Sequence, residues 1–447
     1  MSKTFRDWSL DQALLLPPSV HDFVPTGHLS RFVVTLVTEE LDLSAIMASY
    51  RGEKGQPPYH PAMMVSLLLY AYAVGIYSSR KIAKACVERV DFMAIVALQA
   101  PDFHTVSEFR RRHLAALSAL FVQVLKLCAA ARLVKLGHVA LDGTKIKANA
   151  SKHKAMSYAY MKEREAELQA EVDSWLKKAE AADAAEDKAY GVDRRGDEMP
   201  EWVANKEARL AKLRQARAEL EAEAKSAAAA EKAARDQAAD NDRDGKPPRG
   251  RKPDPASATP DPKAQRNFTD PESRILKTKD GYIQGYNAQA AVDAKAQIIV
   301  AHTLTNNGSD QAQLAPLLDG IKANLGTNPD EASADAGYCS AANLRTLSRR
   351  RIKGYVATGR QKHGTKSATA KRPAKPGSLV ARMSAKLRRA GHRSRYRLRK
   401  QVVEPVFGQI KQARGFRQFL LRGMAKVKAE WALICTEHNL GKLARAN

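Results

Sequence analysis

Cysteine is scarce in this 447-residue chain, and the four present (Cys86, Cys128, Cys339 and Cys435) form no CxxC pair. That spacing argues against a zinc site of the usual thiolate type and against a disulfide framework. Long apolar runs are missing as well. The most hydrophobic stretch, Pro61 to Tyr77, is slightly short for a membrane span and contains Ser66, Tyr70, Tyr72 and Gly75, so a buried core helix is expected. The opening residues, MSKTFRDWSL, lack the pattern of a secretory signal. These absences lead to the expectation of a soluble, cytoplasmic protein without a membrane partner.

Acid is the third shortage, and it is local. From Ala336 to Ala429 there are 26 Lys and Arg against a single acid, Glu404. The whole chain carries a formal charge of +26, so an anionic polymer is the default partner. A solvated basic tail needs no acid, whereas one carboxylate alone in such a field is held ionised, as suits a metal ligand. An ordinary Glu ahead of Pro405 at a helix start fits the same spacing.

The stretch His138–Ala150, HVALDGTKIKANA, organises the rest. Val139, Ala140 and Leu141 form a short apolar run that ends on Asp142-Gly143, which reads as a strand delivering a carboxylate to its rim. Glu331 to Ala336 reads as a second short strand, ending near Asp335. Two strand-end aspartates and a helix-borne glutamate supply the oxygen-only donors that suit Mg²⁺ or Mn²⁺. A pair of such ions supports in-line phosphodiester displacement.

The remaining chain is read in order. Residues 1–135 are expected to be helical and DNA-binding: a helix from about Leu29 to Tyr50, a helix entered at His60-Pro61, and a short helix after Ser78-Ser79. A further helix opens on PDFHTVSEFRRRH with Thr105 and Glu108 at capping-box spacing, and its Arg110, Arg111 and Arg112 could lie along phosphates or simply form a solvated face. Residues 136–151 hold the first strand of the catalytic core. Residues 152–265 read as an insertion, a helical hairpin with stripes Leu168, Val172, Leu176 and Trp202, Leu210, Leu213, Leu220, broken at Gly191–Pro200. It runs into a Pro-, Asp- and Arg-rich stretch, Asp240 to Pro262, expected to be disordered. Residues 266–447 resume the core with a hairpin (Tyr282 to Val292, Gln297 to Leu304), a helix capped by Asp310, a basic loop from Thr358 to about Gly391, and an amphipathic C-terminal helix.

The motifs YHPAMMVSLLLYAYAVGIYSSRKIAKA, PDFHTVSEFRRRH, VALDGTKIKANAS, NFTDPESRILKTKDGYIQGYNAQAAVD, ADAGY, VVEPVFGQIKQARGFRQFLLRG and EWALICTEHNLGKL occur in one order. In that order the chain resembles the DDE transposases of bacterial insertion sequences. The resemblance implies an α/β fold: a ribonuclease-H-like mixed-sheet core, an all-helical N-terminal domain and a long helical insert. It implies Asp142, Asp335 and Glu404 as the metal-binding triad, double-stranded DNA as substrate (terminal inverted repeats and target), and a homodimer on paired ends. Such enzymes often carry a Y-x2-R-x3-E-x6-K signature. Here Tyr396, Arg399, Glu404 and Lys411 leave one extra residue before the Glu, and Lys400 holds the usual Arg offset with Arg397 in place of the Tyr. Lys411, seven residues beyond Glu404 and on the same helix face, could hold a phosphate or simply be a solvated lysine, and Arg414 and Arg417 extend the basic track. The insert also falls between the first and second strands, not before the last catalytic helix.

His302 reads as a structural histidine, His438 and Asn439 as packing or capping residues, Trp431 as core, and Asn149 and Asn287 as orienters of the acids. Gly337, before Tyr338, allows close approach of backbone or DNA, or simply a turn. The competing functional readings are a DNA-binding regulator or decayed transposase without catalysis, and an RNA-processing nuclease of the same fold.

Overall fold

The apolar run before Asp142 forms a strand, and seven others accompany it among the described residues. The structure, a computed structural model, describes residues 19–50, 57–190, 201–240, 254–278, 280–359, 375–390 and 394–446. In chain order the strands are β1 (Val139–Lys147), β2 (Ala155–Ser157), β3 (Gln265–Asn267), β4 (Arg274–Thr278), β5 (Gly281–Asp293), β6 (Ile299–Thr305), β7 (Glu331–Ala334) and β8 (Lys353–Val356). The described chain falls into two compact units. One is drawn from Met1–Ile146, Asn287–Leu421 and Ala425–Asn447, the other from Lys147–Tyr286 and Arg422–Met424.

The first unit is built on a mixed sheet. β1 lies between β5 and β7, β8 follows β7, and β6 pairs with β5. β7 runs parallel to both β1 and β8, while β5 and β6 form the expected antiparallel hairpin. β1 opens on the buried apolar run Val139–Leu141, and β7 is buried along its whole length, with Glu331 and Ser333 on one face paired to the His138 ring. The described N-terminal helices belong to this unit.

The helix Pro61–Ala73 starts as expected, with Pro61 in the first turn and the His60 ring accepting from the Ala62 N–H at 3.2 Å. It is buried nearly all round. Two neighbouring expectations are corrected. The segment from Leu29 is not one helix but Leu29–Thr35, a π turn Leu36–Glu40 and a separate turn Ser44–Met47. Asp42 Oδ1 accepts from the Ser44 N–H at 2.8 Å, a local cap that starts the chain afresh. The helix Phe103–Arg112 is capped by Asp102, which accepts from the Thr105 N–H at 2.8 Å, so Thr105 lies inside the helix. Glu108 is then free to pair with Arg111.

The C-terminal helix, Met424–Leu443, departs most from its sequence pattern. It was expected to be amphipathic, yet Val427 and every residue from Ala429 to Leu440 are buried. Its polar side chains are paired inside the unit, as buried polar groups must be. Asn439 accepts from the Ile299 N–H and donates to the Ile299 carbonyl, both at 2.8 Å, and so completes the start of β6. His438 contacts the Gln297 carbonyl, and Trp431 donates to the Gln289 carbonyl. Part of the expected basic loop is also a helix, Leu379–Ala390. Leu387 is buried there, and the Lys386 ammonium sits 4.1 Å from the centre of the Tyr355 ring while donating to the Gly354 carbonyl. Residues 360–374 and 391–393 of that loop lie outside the described residues.

In the second unit β2 pairs with β3, and β4 pairs with the Gly281–Gly285 part of β5. Two long helices, Tyr158–Tyr190 and Glu201–Asp240, pack through Met161, Leu168, Leu210, Leu213, Ala216 and Leu220. Glu165 pairs with Arg214 and Arg217, and Glu171 with Lys206. Partners therefore run in opposite sequence order, so the two helices are antiparallel, as a hairpin requires. The break at 191–200, residues 241–253 of the stretch expected to be disordered, and the side chains of Leu176 and Trp202 lie outside the described residues.

Candidate active site

Strand register brings the first two acids together. β1 and β7 are paired in parallel as Val139↔Ala332, Ala140↔Ser333 and Leu141↔Ala334. The next residue along each strand is Asp142 and Asp335. Paired strands lie about 4.8 Å apart, so the two carboxylates stand side by side at the rim where β7 ends; β1 does not end at Asp142 as expected but continues to Lys147. Open α/β sheets commonly place ligands at that rim. Asp142 Oδ1 accepts from the Gly143 N–H at 2.9 Å, and Asp335 Oδ1 from the Gly337 N–H at 2.8 Å.

The third acid arrives on the helix Leu398–Gly408. Pro405 sits inside this helix and has no N–H for the Gln401 carbonyl. Gln297 Nε2 donates to that carbonyl instead, at 2.9 Å, which lets the helix pass through the proline intact. One turn earlier, Arg399 joins two of the acids. Its Nη1 donates to Asp142 Oδ2 at 2.5 Å and its Nη2 to Glu404 Oε1 at 2.9 Å. Tyr396 lies near Arg399, whose guanidinium works against the rise that burial gives the phenol. The extra residue before Glu404 therefore does not separate Tyr396, Arg399 and Glu404.

A fourth acid was missed in the sequence. Asp310 stands at a helix-cap position, but its side chain makes no capping hydrogen bond. Instead Oδ1 accepts from Asn287 Nδ2 at 2.7 Å and Gln289 Nε2 at 2.6 Å. Both amides are buried on β5, one strand over from Asp142. Asn287, expected to orient the acids of the site, is bonded to Asp310. A methyl group at Gly143 would lie 2.2 Å from Gln289 Nε2 and 2.7 Å from Asp310 Oδ1, so the glycine is needed for space. Gly143→Ala is expected to destabilise the protein by roughly 1–3 kcal/mol through overpacking, read from denaturant unfolding. An unchanged midpoint would contradict this packing.

Burial pushes the Asp142 carboxyl up to about 7. Arg399 opposes the shift, and the charges of Asp335 and Asp310 add to it. Asp335 is raised by burial too, again with Arg399 opposing and Asp310 adding. For Arg399 burial pulls the other way, but Asp142, Tyr396, Glu404 and Asp335 outweigh it and hold the guanidinium more firmly charged. The site is a set of acids packed more closely than one guanidinium can neutralise.

The other expected residues divide by environment. Lys411 lies on a π turn, Gln409–Ala413, and donates to the Lys145 carbonyl of β1 at 2.8 Å, so it braces the strand that carries Asp142. Burial lowers its pKa, and Arg417 adds to this. Arg111, Arg112, Lys400 and Arg417 are exposed. Two members of the expected DNA-binding set are turned inward. Arg110 is buried and donates to the Tyr72 hydroxyl, the Tyr77 carbonyl and the Ser79 hydroxyl. Arg414 pairs with the buried Glu437 at 2.8 Å. The expectation that these two face DNA is corrected by those contacts. His302 is structural, packed edge-on to Phe121 and pushed down to about 4 by burial. Gly337 admits the carboxylates of Asp310 and Asp335. Asn149 belongs to the second unit.

The acids offer only oxygen donors and suit a hard divalent cation. Gly143 and Gly337, whose missing side chains leave room for these carboxylates, fit the same use. Among the described residues, no three Asp, Glu, His or Cys side chains stand close enough as arranged to share one ion. The guanidinium of Arg399 now carries the positive charge there. No single described helix is long and apolar enough to cross a membrane.

Comparison with known families gives two matches. Residues 18–112 match a transposase domain (DUF772), and residues 256–440 match a transposase DDE domain. No curated protein and no solved structure gives a significant match.

Proposed function

Because the chain belongs to the DDE transposases of insertion-sequence type, we propose that it cleaves DNA at the inverted-repeat ends of its own element and joins those ends to target DNA. Asp142, Asp335 and Glu404 are the metal-binding carboxylates of a ribonuclease-H-like core in this reading. The observation that carries it is the single guanidinium of Arg399 joining Asp142 and Glu404 at the rim where Asp335 also emerges.

Mg²⁺ or Mn²⁺ held by these three acids would supply Lewis-acid stabilisation for phosphodiester displacement. The chain's own residues do the rest. Arg399 balances Asp142 and Glu404, and Tyr396 lies beside it. Once released from the acids, its planar fork suits a DNA phosphate. Lys411 fixes β1 through the Lys145 carbonyl and so holds Asp142 in place. Arg111, Arg112, Lys400 and Arg417 are exposed cations for the DNA backbone. Cleavage first frees a 3′-hydroxyl, and that hydroxyl then attacks target DNA at the same site. A homodimer on paired ends, in the bacterial cytoplasm at the nucleoid, completes the reading.

The test is a nicking assay on a duplex that carries the element's terminal repeat, with Mg²⁺, with Mn²⁺ and with EDTA. The expected result is a metal-dependent nick at the repeat end. Tight binding without any nick would show a DNA-binding protein without catalysis. Cleavage confined to RNA or hybrid substrates would show a nuclease of another kind.

A further inference from the structure

We infer that Asp310 is a fourth carboxylate of the metal centre, sharing a divalent cation with Asp335, and that Asn287 and Gln289 are its positioning residues. The inference rests on the reading of Asp142, Asp335 and Glu404 as cation ligands and adds a residue to it.

Two elements present carboxylate oxygens to one point. A methyl group at Gly337 would lie 3.0 Å from Asp310 Oδ2 and 3.0 Å from Asp335 Oδ1. Asp310 reaches that point because both amide donors bind its other oxygen, Oδ1. The donors are themselves fixed. Gln289 Oε1 accepts from the Tyr338 hydroxyl, and the Gln289 carbonyl accepts from Trp431. Asn287 Nδ2 also donates to the Asn307 carbonyl at 3.2 Å. Asn287 and Gln289 are 1% and 0% exposed, so two buried amides on an otherwise apolar strand segment are devoted to aiming one carboxylate.

Charge points to the same occupant. Arg399 bonds Asp142 and Glu404, and among the described residues neither Asp310 nor Asp335 has a Lys or Arg within ion-pair distance. Two carboxylates meeting this closely repel unless a proton or a cation lies between them. Hard oxygen donors and a space opened by glycine suit Mg²⁺ or Mn²⁺. The sequence disguises the residue, because Asp after Asn-Gly-Ser reads as a helix cap.

The experiment is a Mn²⁺ titration of the full chain without DNA, with free Mn²⁺ followed by electron paramagnetic resonance. Wild type, Asp310→Asn and Asp142→Asn are compared. Asp310→Asn is expected to weaken Mn²⁺ binding by at least about tenfold, the lower end of the loss seen when support of a metal site is removed. Its melting temperature in EDTA should equal or exceed that of wild type, because one of two facing charges is gone. Should Asp310→Asn fail to fold, Asp310→Ser takes its place with the same expectation for Mn²⁺ binding. Wild-type Mn²⁺ affinity in Asp310→Asn alongside a loss in Asp142→Asn would overturn the role of Asp310 and leave the triad standing. No Mn²⁺ binding by wild type would instead overturn the triad, and this inference with it.

Discussion

Asp142→Asn is expected to lower metal-dependent nicking by about 10³-fold or more, with the folded protein no less stable at pH 8. The first part follows from loss of a carboxylate on β1 that the metal needs. Removal of about 4 kcal/mol of transition-state stabilisation corresponds to about a thousandfold in rate. The second part follows from burial. The Asp142 carboxyl is pushed up to about 7 from an ordinary value of 3.8, so the folded chain holds a proton that the unfolded chain releases. The associated stability is fully present below about pH 4 and is lost as pH rises through 7. Asparagine has no charge to bury and escapes that loss. Melting curves in EDTA should therefore show the variant gaining on wild type between pH 5 and pH 8. Glu430 and Glu437, pushed up by burial to about 7 and about 8, titrate in a neighbouring window but are common to both proteins. Nicking at the wild-type rate, or a variant that loses ground as pH rises, would contradict the assignment.

Arg414→Met should produce the largest loss of stability in the molecule, and the loss should grow with pH. Arg414 Nε lies 2.8 Å from Glu437 Oε1, yet neither oxygen of Glu437 receives a well-aligned hydrogen bond, and the side chain is 1% exposed. Burial accordingly raises the Glu437 carboxyl to about 8, with Arg414 and then Arg445 opposing. Near pH 6 that carboxyl is mostly neutral, and methionine replaces mainly packing. Near pH 9 an uncompensated buried charge remains, which costs roughly 3–5 kcal/mol. Glu437→Gln added to Arg414→Met should restore most of that stability. A pH-independent loss, read from urea unfolding, would show that the pairing is not the cause. The same segment anchors the N-terminal helices: the Tyr77 hydroxyl donates to the Arg414 carbonyl, and a methyl group at Gly75 would stand 2.8 Å from that oxygen.

The differing fate of the acids shows what a sequence reveals. Asp142 and Asp335 were legible because each follows a short apolar run, and the parallel register of β1 and β7 turns that local pattern into proximity. Glu404 was legible because it is alone among cations. Asp310 was not, since its role depends on three strands converging and on space left by two glycines. The trace of it in the sequence is the spacing of Asn287 and Gln289, two polar residues on one face of a strand that is otherwise apolar there. Arg110 was misplaced because Arg110, Arg111 and Arg112 look alike in a run. A helix turns each by about 100°, and Arg110 shares the face of Val106 and His113, both buried. Glu430 and Glu437 lie on a helix whose pattern reads as amphipathic, while His438 and Asn439 read as packing or capping residues. Their burial is set by β6 and by the Gln409–Leu421 segment, which no local pattern encodes.

The most direct measurement is a Mn²⁺-soaked crystal of the full chain bound to its terminal-repeat DNA, with manganese located by anomalous scattering. The account predicts manganese touching both Asp142 and Asp335, with the Arg399 guanidinium turned away from Asp142. A soaked crystal in which Arg399 still joins Asp142 to Glu404, and manganese binds nowhere at that rim, would contradict it.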